Sequence, residues 1–74
     1  MFLNELKKQQ RGRIVGFKGQ LAVTQRLMAM GMLPGRAVEV VQVAPFGDPV
    51  TVQLDSSRVS LRRSEAAMLQ VEPA

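Results

Sequence analysis

The amino-acid sequence predicts a mainly β domain, a small and partly open barrel of about five strands with one short helix inserted after the first strand. Three observations point there. Val50-Thr-Val-Gln-Leu54 alternates apolar and polar residues without a fault, the period-2 pattern of a strand with one buried face. Arg26-Leu-Met-Ala-Met-Gly-Met-Leu-Pro-Gly35 closes an amphipathic helix and delivers the chain directly into another strand. Short apolar runs punctuated by Gly, Pro and Asp fill the rest of the 74 residues, a spacing typical of small barrels.

Residues 1–10 read as a polar lead-in or a frayed turn. Gly12-Arg-Ile-Val-Gly-Phe17 is expected to be the first strand, with Gly16 marking a bend or a bulge and Lys18-Gly19 ending it. Gln20 to Met30 reads as a helix, because Val23, Leu27 and Met30 recur four and three residues apart and so share a face. Leu21 and Met28 flank that stripe, while Gln25 and Arg26 fall outside it. Gly31 supplies the left-handed backbone that ends a helix, and Pro34-Gly35 forbids continuation and builds a turn.

Val38 to Val43 is the second strand. Its alternation slips between Val40 and Val41, so either both faces are covered or the strand bulges. Ala44-Pro-Phe-Gly-Asp-Pro49 is a turn-rich connection whose prolines stay out of any ladder. After Val50 to Leu54, Asp55-Ser-Ser57 turns the chain into Arg58-Val-Ser-Leu-Arg62, with Val59 and Leu61 facing inward. Ser64 is expected to cap a helical turn over Glu65 to Met68. Leu69-Gln-Val71 is a short closing strand that Pro73 ends. Together these elements make a partly open, five-stranded barrel of the SH3-like type, one domain over residues 1–74.

A chain of this length buries only about 60% of the surface its unfolded form exposes, so the core has to be compact. Cysteine and histidine are both absent, which excludes disulfides and a zinc site of the usual ligands. The opening apolar stretch is too short for a signal peptide, and no run approaches the roughly 20 apolar residues of a membrane-spanning helix. The cytoplasm is the expected compartment. Ten Lys and Arg against six Asp and Glu give a net charge of +4, which raises nucleic acid as a partner. The chain lacks Trp and Tyr, however, and offers only Phe2, Phe17 and Phe46 for stacking on bases. A solvated basic face is preferred, and nucleic acid is an unlikely partner.

Without Cys, His, a phosphate-binding loop or closely spaced carboxylates, the sequence reads as a non-enzyme with no cofactor site. The six acids Glu5, Glu39, Asp48, Asp55, Glu65 and Glu72 are scattered singly, so no metal site is expected. Asp48, between Gly47 and Pro49, reads as an Asx-type turn residue that accepts from nearby backbone amides. Met28, Met30 and Met32 carry soft donors that suit copper(I). On a helix Met30 points away from the other two, so core packing is the better reading. The candidate docking residues are Phe46, at the tip of a proline-stiffened connection, Leu33 beside Pro34, and Leu27. The Phe46 ring either presents itself to a partner or folds back on the barrel mouth. One apolar rim is expected from the end of the helix and the Ala44 to Pro49 connection.

Four segments stand in register with a known family: Gln25-Arg-Leu with Met30-Gly-Met and Pro34-Gly35; Val38-Glu-Val-Val41; Ala44-Pro with Gly47-Asp-Pro49; and Ser60-Leu-Arg62 with Glu65-Ala-Ala67. From about Gly12 to Glu72 the chain resembles FeoA, the small cytoplasmic ferrous iron transport protein A. The resemblance implies an SH3-like stand-alone accessory of FeoB, a membrane iron(II) transporter with a cytoplasmic G-protein domain. The expected function is that of an adaptor that binds this transporter and modulates it, with Leu27, Leu33, Phe46, Arg26 and Arg62 as partner-binding residues. An alternative is a regulator of GTP turnover that offers Arg26, Arg58, Arg62 or Arg63 in trans. A small basic nucleic-acid-binding barrel is the more remote reading. Oligomeric state is not legible in the sequence.

Overall fold

Five antiparallel strands form one sheet in the order β4-β3-β2-β1-β5 in the computed structural model, which describes residues 1–74. The strands are β1 (Arg11–Phe17), β2 (Ala37–Val43), β3 (Val50–Gln53), β4 (Arg58–Leu61) and β5 (Leu69–Pro73). Helix α1 (Leu21–Ala29) connects β1 to β2, and a single helical turn, α2 (Arg63–Ala66), connects β4 to β5. The chain is therefore mainly β with a short helix after the first strand, an SH3-like arrangement.

Two bulges interrupt the ladders, and a bulge bends its strand and increases its local twist. Opposite β5 the register passes from Ile14↔Val71 to Gly16↔Gln70, which is the irregularity that Gly16 announced. Opposite β3 it passes from Val40↔Val52 to Gln42↔Thr51, so the slip in the β2 pattern is a bulge with Val41 as the extra residue. Beside β5 the backbone of β1 comes very close. A Cβ on Gly12 would stand 3.2 Å from both Val71 Cβ and the Glu72 carbonyl oxygen, a contact tight enough that β5 would have to shift by a few tenths of an ångström to admit a side chain there.

Helix α1 ends as its sequence dictates. Gly31 adopts φ 99°, its N–H donates to the Met28 carbonyl (3.0 Å), and the Met32 N–H donates to the Leu27 carbonyl (3.1 Å). This pair of bonds is a Schellman motif, and its usual apolar contact is supplied by Leu27 and Met32, both fully buried. Thr24, the other buried residue of the helix, donates its hydroxyl to the Leu21 carbonyl at 3.0 Å. Val23 and Met30 pack against the core while partly exposed.

Three local expectations need correction. Residues 1–10 do contain a turn, but it is neither frayed nor outside the fold, because the 3-10 turn over Leu3–Glu5 puts Leu3 and Leu6 into the core, 0% and 6% exposed. Residues three apart eclipse one another in a 3-10 turn, so both leucines point the same way. The N-terminus also covers the β5 edge: Phe2 bridges to Gln70, and the Val71 N–H donates to the Met1 carbonyl at 2.8 Å. Ser64 does not cap α2 but lies exposed inside the turn. The chain enters α2 at Arg62, whose N–H donates to Glu65 Oε1 at 2.8 Å, a charge-assisted bond available to a carboxylate three residues on. Pro73 belongs to β5 rather than ending it, as it sits opposite Gly12 at the outer edge of the sheet.

Candidate docking surface at the β2–β3 connection

The connection from β2 to β3 is closed on itself. The Ala44 N–H donates to the Pro49 carbonyl (3.0 Å) and the Gly47 N–H to the Ala44 carbonyl (2.9 Å), around a 3-10 turn over Pro45–Gly47. Phe46, at the crest, takes φ 69° and ψ 10°, a left-handed conformation that bulky side chains rarely adopt. Its side chain is 98% exposed. Of the two positions open to this ring, the structure has the one that faces solvent.

Asp48 anchors the connection to α2. Its Oδ1 accepts from the Arg63 N–H at 3.2 Å, so the residue holds backbone, as expected, but a backbone fifteen positions away rather than its own turn. A free N–H at the start of α2 is satisfied in the process. The stem of Arg63 runs beside Gly47, where a Cβ would lie 3.7 Å from Arg63 Cδ. Glu65, 7% exposed, then ties α2 to α1: one carboxylate oxygen accepts from the Arg62 N–H, and the other pairs with the Arg26 guanidinium.

The structure thus brings Phe46 and Arg62 to one region and links Arg26 to it through Glu65. It does not bring Leu33 there. Leu33 is 44% exposed but sits in the turn before β2, where its carbonyl accepts from the Arg36 N–H, whereas Phe46 follows the far end of that strand. The single apolar rim expected from the sequence is therefore not formed. Leu27 is 0% exposed and offers no surface to a partner, because the face of α1 that carries it is the face that covers the core. Sequence reasoning missed Glu65 here and placed Arg63 only among the arginines that could be offered in trans. Glu65 had a signal, since a Glu three residues past the start of a helical turn is placed to take the first free amide.

Charge at this surface is unbalanced. The ion pairs are Arg11–Glu39 (3.1 Å), Arg26–Glu65 and Arg36–Asp55 (3.6 Å); Arg62 and Arg63 are exposed and belong to none of them. Nowhere do three acidic side chains converge. Two surface depressions of about 330 and 250 Å³ lie elsewhere, the second lined by Glu39 and Asp55, which are already paired with arginines. No helix is long and apolar enough to cross a membrane. The surface thus offers an exposed aromatic ring at the crest of the connection and two unpaired arginines at the start of α2, to which the connection is fastened, and aromatic and arginine side chains are enriched in protein–protein interfaces.

Comparison with known proteins gives a consistent result. The family described as FeoA domain matches residues 1–73. A fusion protein of Porphyromonas gingivalis, named Fe(2+) transport protein A/Fe(2+) transporter FeoB, is 39% identical over 72 residues, covering 97% of this chain but only 8% of that protein. The solution structure of an FeoA-like protein of Clostridium acetobutylicum superposes with a TM-score of 0.91 at 32% identity, over 99% of this chain and 85% of the other. The crystal structure of Stenotrophomonas maltophilia FeoA complexed with zinc gives a TM-score of 0.84 at 30% identity, over 97% of this chain and 89% of the other. That protein is described as a prokaryotic SH3 domain protein and a candidate activating factor of ferrous iron transport.

Proposed function

This chain belongs to the FeoA domain family, a family associated with Fe(2+) transport, and on that premise we propose that it is a cytoplasmic, non-enzymatic adaptor that binds a FeoB-type membrane transporter and modulates its activity. The observation that carries this reading is the Porphyromonas gingivalis relative, in which an Fe(2+) transport protein A and a FeoB transporter share one polypeptide. Covalent linkage keeps two partners at a high effective concentration, an arrangement that is useful when the separate chains work in contact. The exposed Phe46 and the unpaired Arg62 and Arg63 are also side chains suited to binding rather than to chemistry. The test is equilibrium binding of the purified chain to a purified, detergent-solubilised FeoB-type transporter and to its separated cytoplasmic parts. Saturable binding is expected; its absence from both overturns the reading.

Regulation of GTP turnover is a second reading, favoured by the same unpaired arginines. An arginine presented in trans can stabilise the charge that develops during phosphoryl transfer. A steady-state GTPase assay of the transporter with and without this chain distinguishes the two: a rate increase lost in Arg62→Ala or Arg63→Ala supports the regulator, and an unchanged rate leaves the adaptor.

A further inference from the structure

We propose that Phe46 is the anchor by which this chain docks, its ring entering an apolar pocket of a partner protein whose rim carries carboxylates that Arg62 and Arg63 contact. The proposal rests on the adaptor reading and names its docking element.

Phenylalanine is a poor residue for the fold at this position on two independent counts. The left-handed backbone at φ 69° favours glycine or asparagine and penalises a bulky side chain. At 98% exposure the ring gains nothing from burial to offset that penalty. A residue that breaks a local rule without an internal gain marks a site with a purpose outside the fold.

The loop is also built to hold the backbone under the ring still. Pro45 and Pro49 restrict the backbone, the Ala44–Pro49 and Gly47–Ala44 hydrogen bonds close the turn, and the Asp48–Arg63 bond fastens it to α2. Docking from a backbone already fixed spares the loop-ordering part of the entropy cost and leaves only the two side-chain torsions of the ring to be ordered.

Charge identifies the occupant. Arg62 and Arg63 have no internal counter-ion, and the chain carries a net +4. A second copy meeting this surface about a two-fold axis would set arginine against arginine. A pocket bordered by Asp or Glu complements the same groups. In the adaptor reading that pocket lies on the cytoplasmic face of the transporter.

The test measures both stability and binding to the purified FeoB-type transporter for the parent chain, Phe46→Asn, Phe46→Trp and Arg63→Glu. Phe46→Asn is expected to melt at or above the parent temperature, since it suits the left-handed backbone, yet to bind about 30-fold more weakly. Phe46→Trp keeps an aromatic anchor and binds within about threefold of the parent. Arg63→Glu slows association about tenfold and flattens its dependence on salt. If Phe46→Asn binds within about threefold of a parent that binds, the anchor is wrong and the adaptor reading stands. If the parent does not bind at all, both fall. Phe46-dependent binding to anionic phosphatidylglycerol vesicles without transporter would make a membrane the occupant and overturn the pocket.

Discussion

Glu65 holds Arg26 across the gap between the two helices: the carboxylate is buried, the guanidinium faces outward, and the second carboxylate oxygen accepts from the backbone of Arg62. One side chain therefore both starts α2 and fixes it against α1, and α2 is the element that Asp48 of the β2–β3 loop grips.

Arg26→Met and Glu65→Gln are each expected to lower stability by about 1–2 kcal/mol, through loss of a charge-assisted bond to a buried group. The exposure of Arg26 keeps the figure at that level, because water screens the outer half of the pair. In a domain of this size such a change lowers the melting temperature by roughly 4–8 °C per kcal/mol. The double variant should lose less than the sum of the single losses, as residues in direct contact do. Urea melts of the four proteins measure this; strict additivity would show that the pair carries no coupling.

Leu3→Ala should cost about 2–5 kcal/mol, the range for a fully buried leucine whose removal leaves a cavity. A residue in a dispensable tail would cost almost nothing. Chemical denaturation with an unchanged slope and a lower midpoint is the expected result.

Leu27→Gln and Leu33→Ser should separate core from surface. The first places an amide among apolar neighbours, costing about 1–3 kcal/mol for the unsatisfied group in addition to the lost packing, and any loss of transporter binding should track the unfolded fraction. The second should stay within about 0.5 kcal/mol of the parent and bind the transporter normally. Circular dichroism melts alongside binding curves decide it, and weak binding by a fully folded Leu33→Ser would restore that turn to the docking surface.

Titration of the isolated chain with micromolar iron(II) under anaerobic conditions should give no saturable stoichiometric heat. Glu39 and Asp55 face Arg11 and Arg36, Glu65 faces Arg26, and no third acid joins any of them. A one-to-one calorimetric transition would refute this.

The strands were readable because each buries one face, so Val50, Val52 and Leu61 declare themselves by alternation. The Schellman end of α1 was readable because only glycine accommodates that backbone at Gly31 without penalty. The role of the first ten residues was hidden by context. Leu3 and Leu6 are separated and followed by charged residues, and their common direction depends on a short 3-10 turn that leaves no longer periodicity to detect. The candidate docking surface was half visible: Phe46 stood out as an aromatic among turn residues, but its neighbours are set by topology. Only the folded chain shows that α2 lies against the β2–β3 loop and that Leu33 is at the other end of β2.

The pairing of β1 with β5 also has a consequence in time. A ribosome makes β1 first and β5 last, at roughly 5–20 residues per second, so β1 waits several seconds for the strand that covers one of its edges. Until then Ile14 and the leucines of the opening turn lack the Leu69 and Val71 side chains that share their core cluster. Closure falls after synthesis of the last strand, and the interval before it is when the nascent chain is most open to chaperones, proteases and association with its own kind.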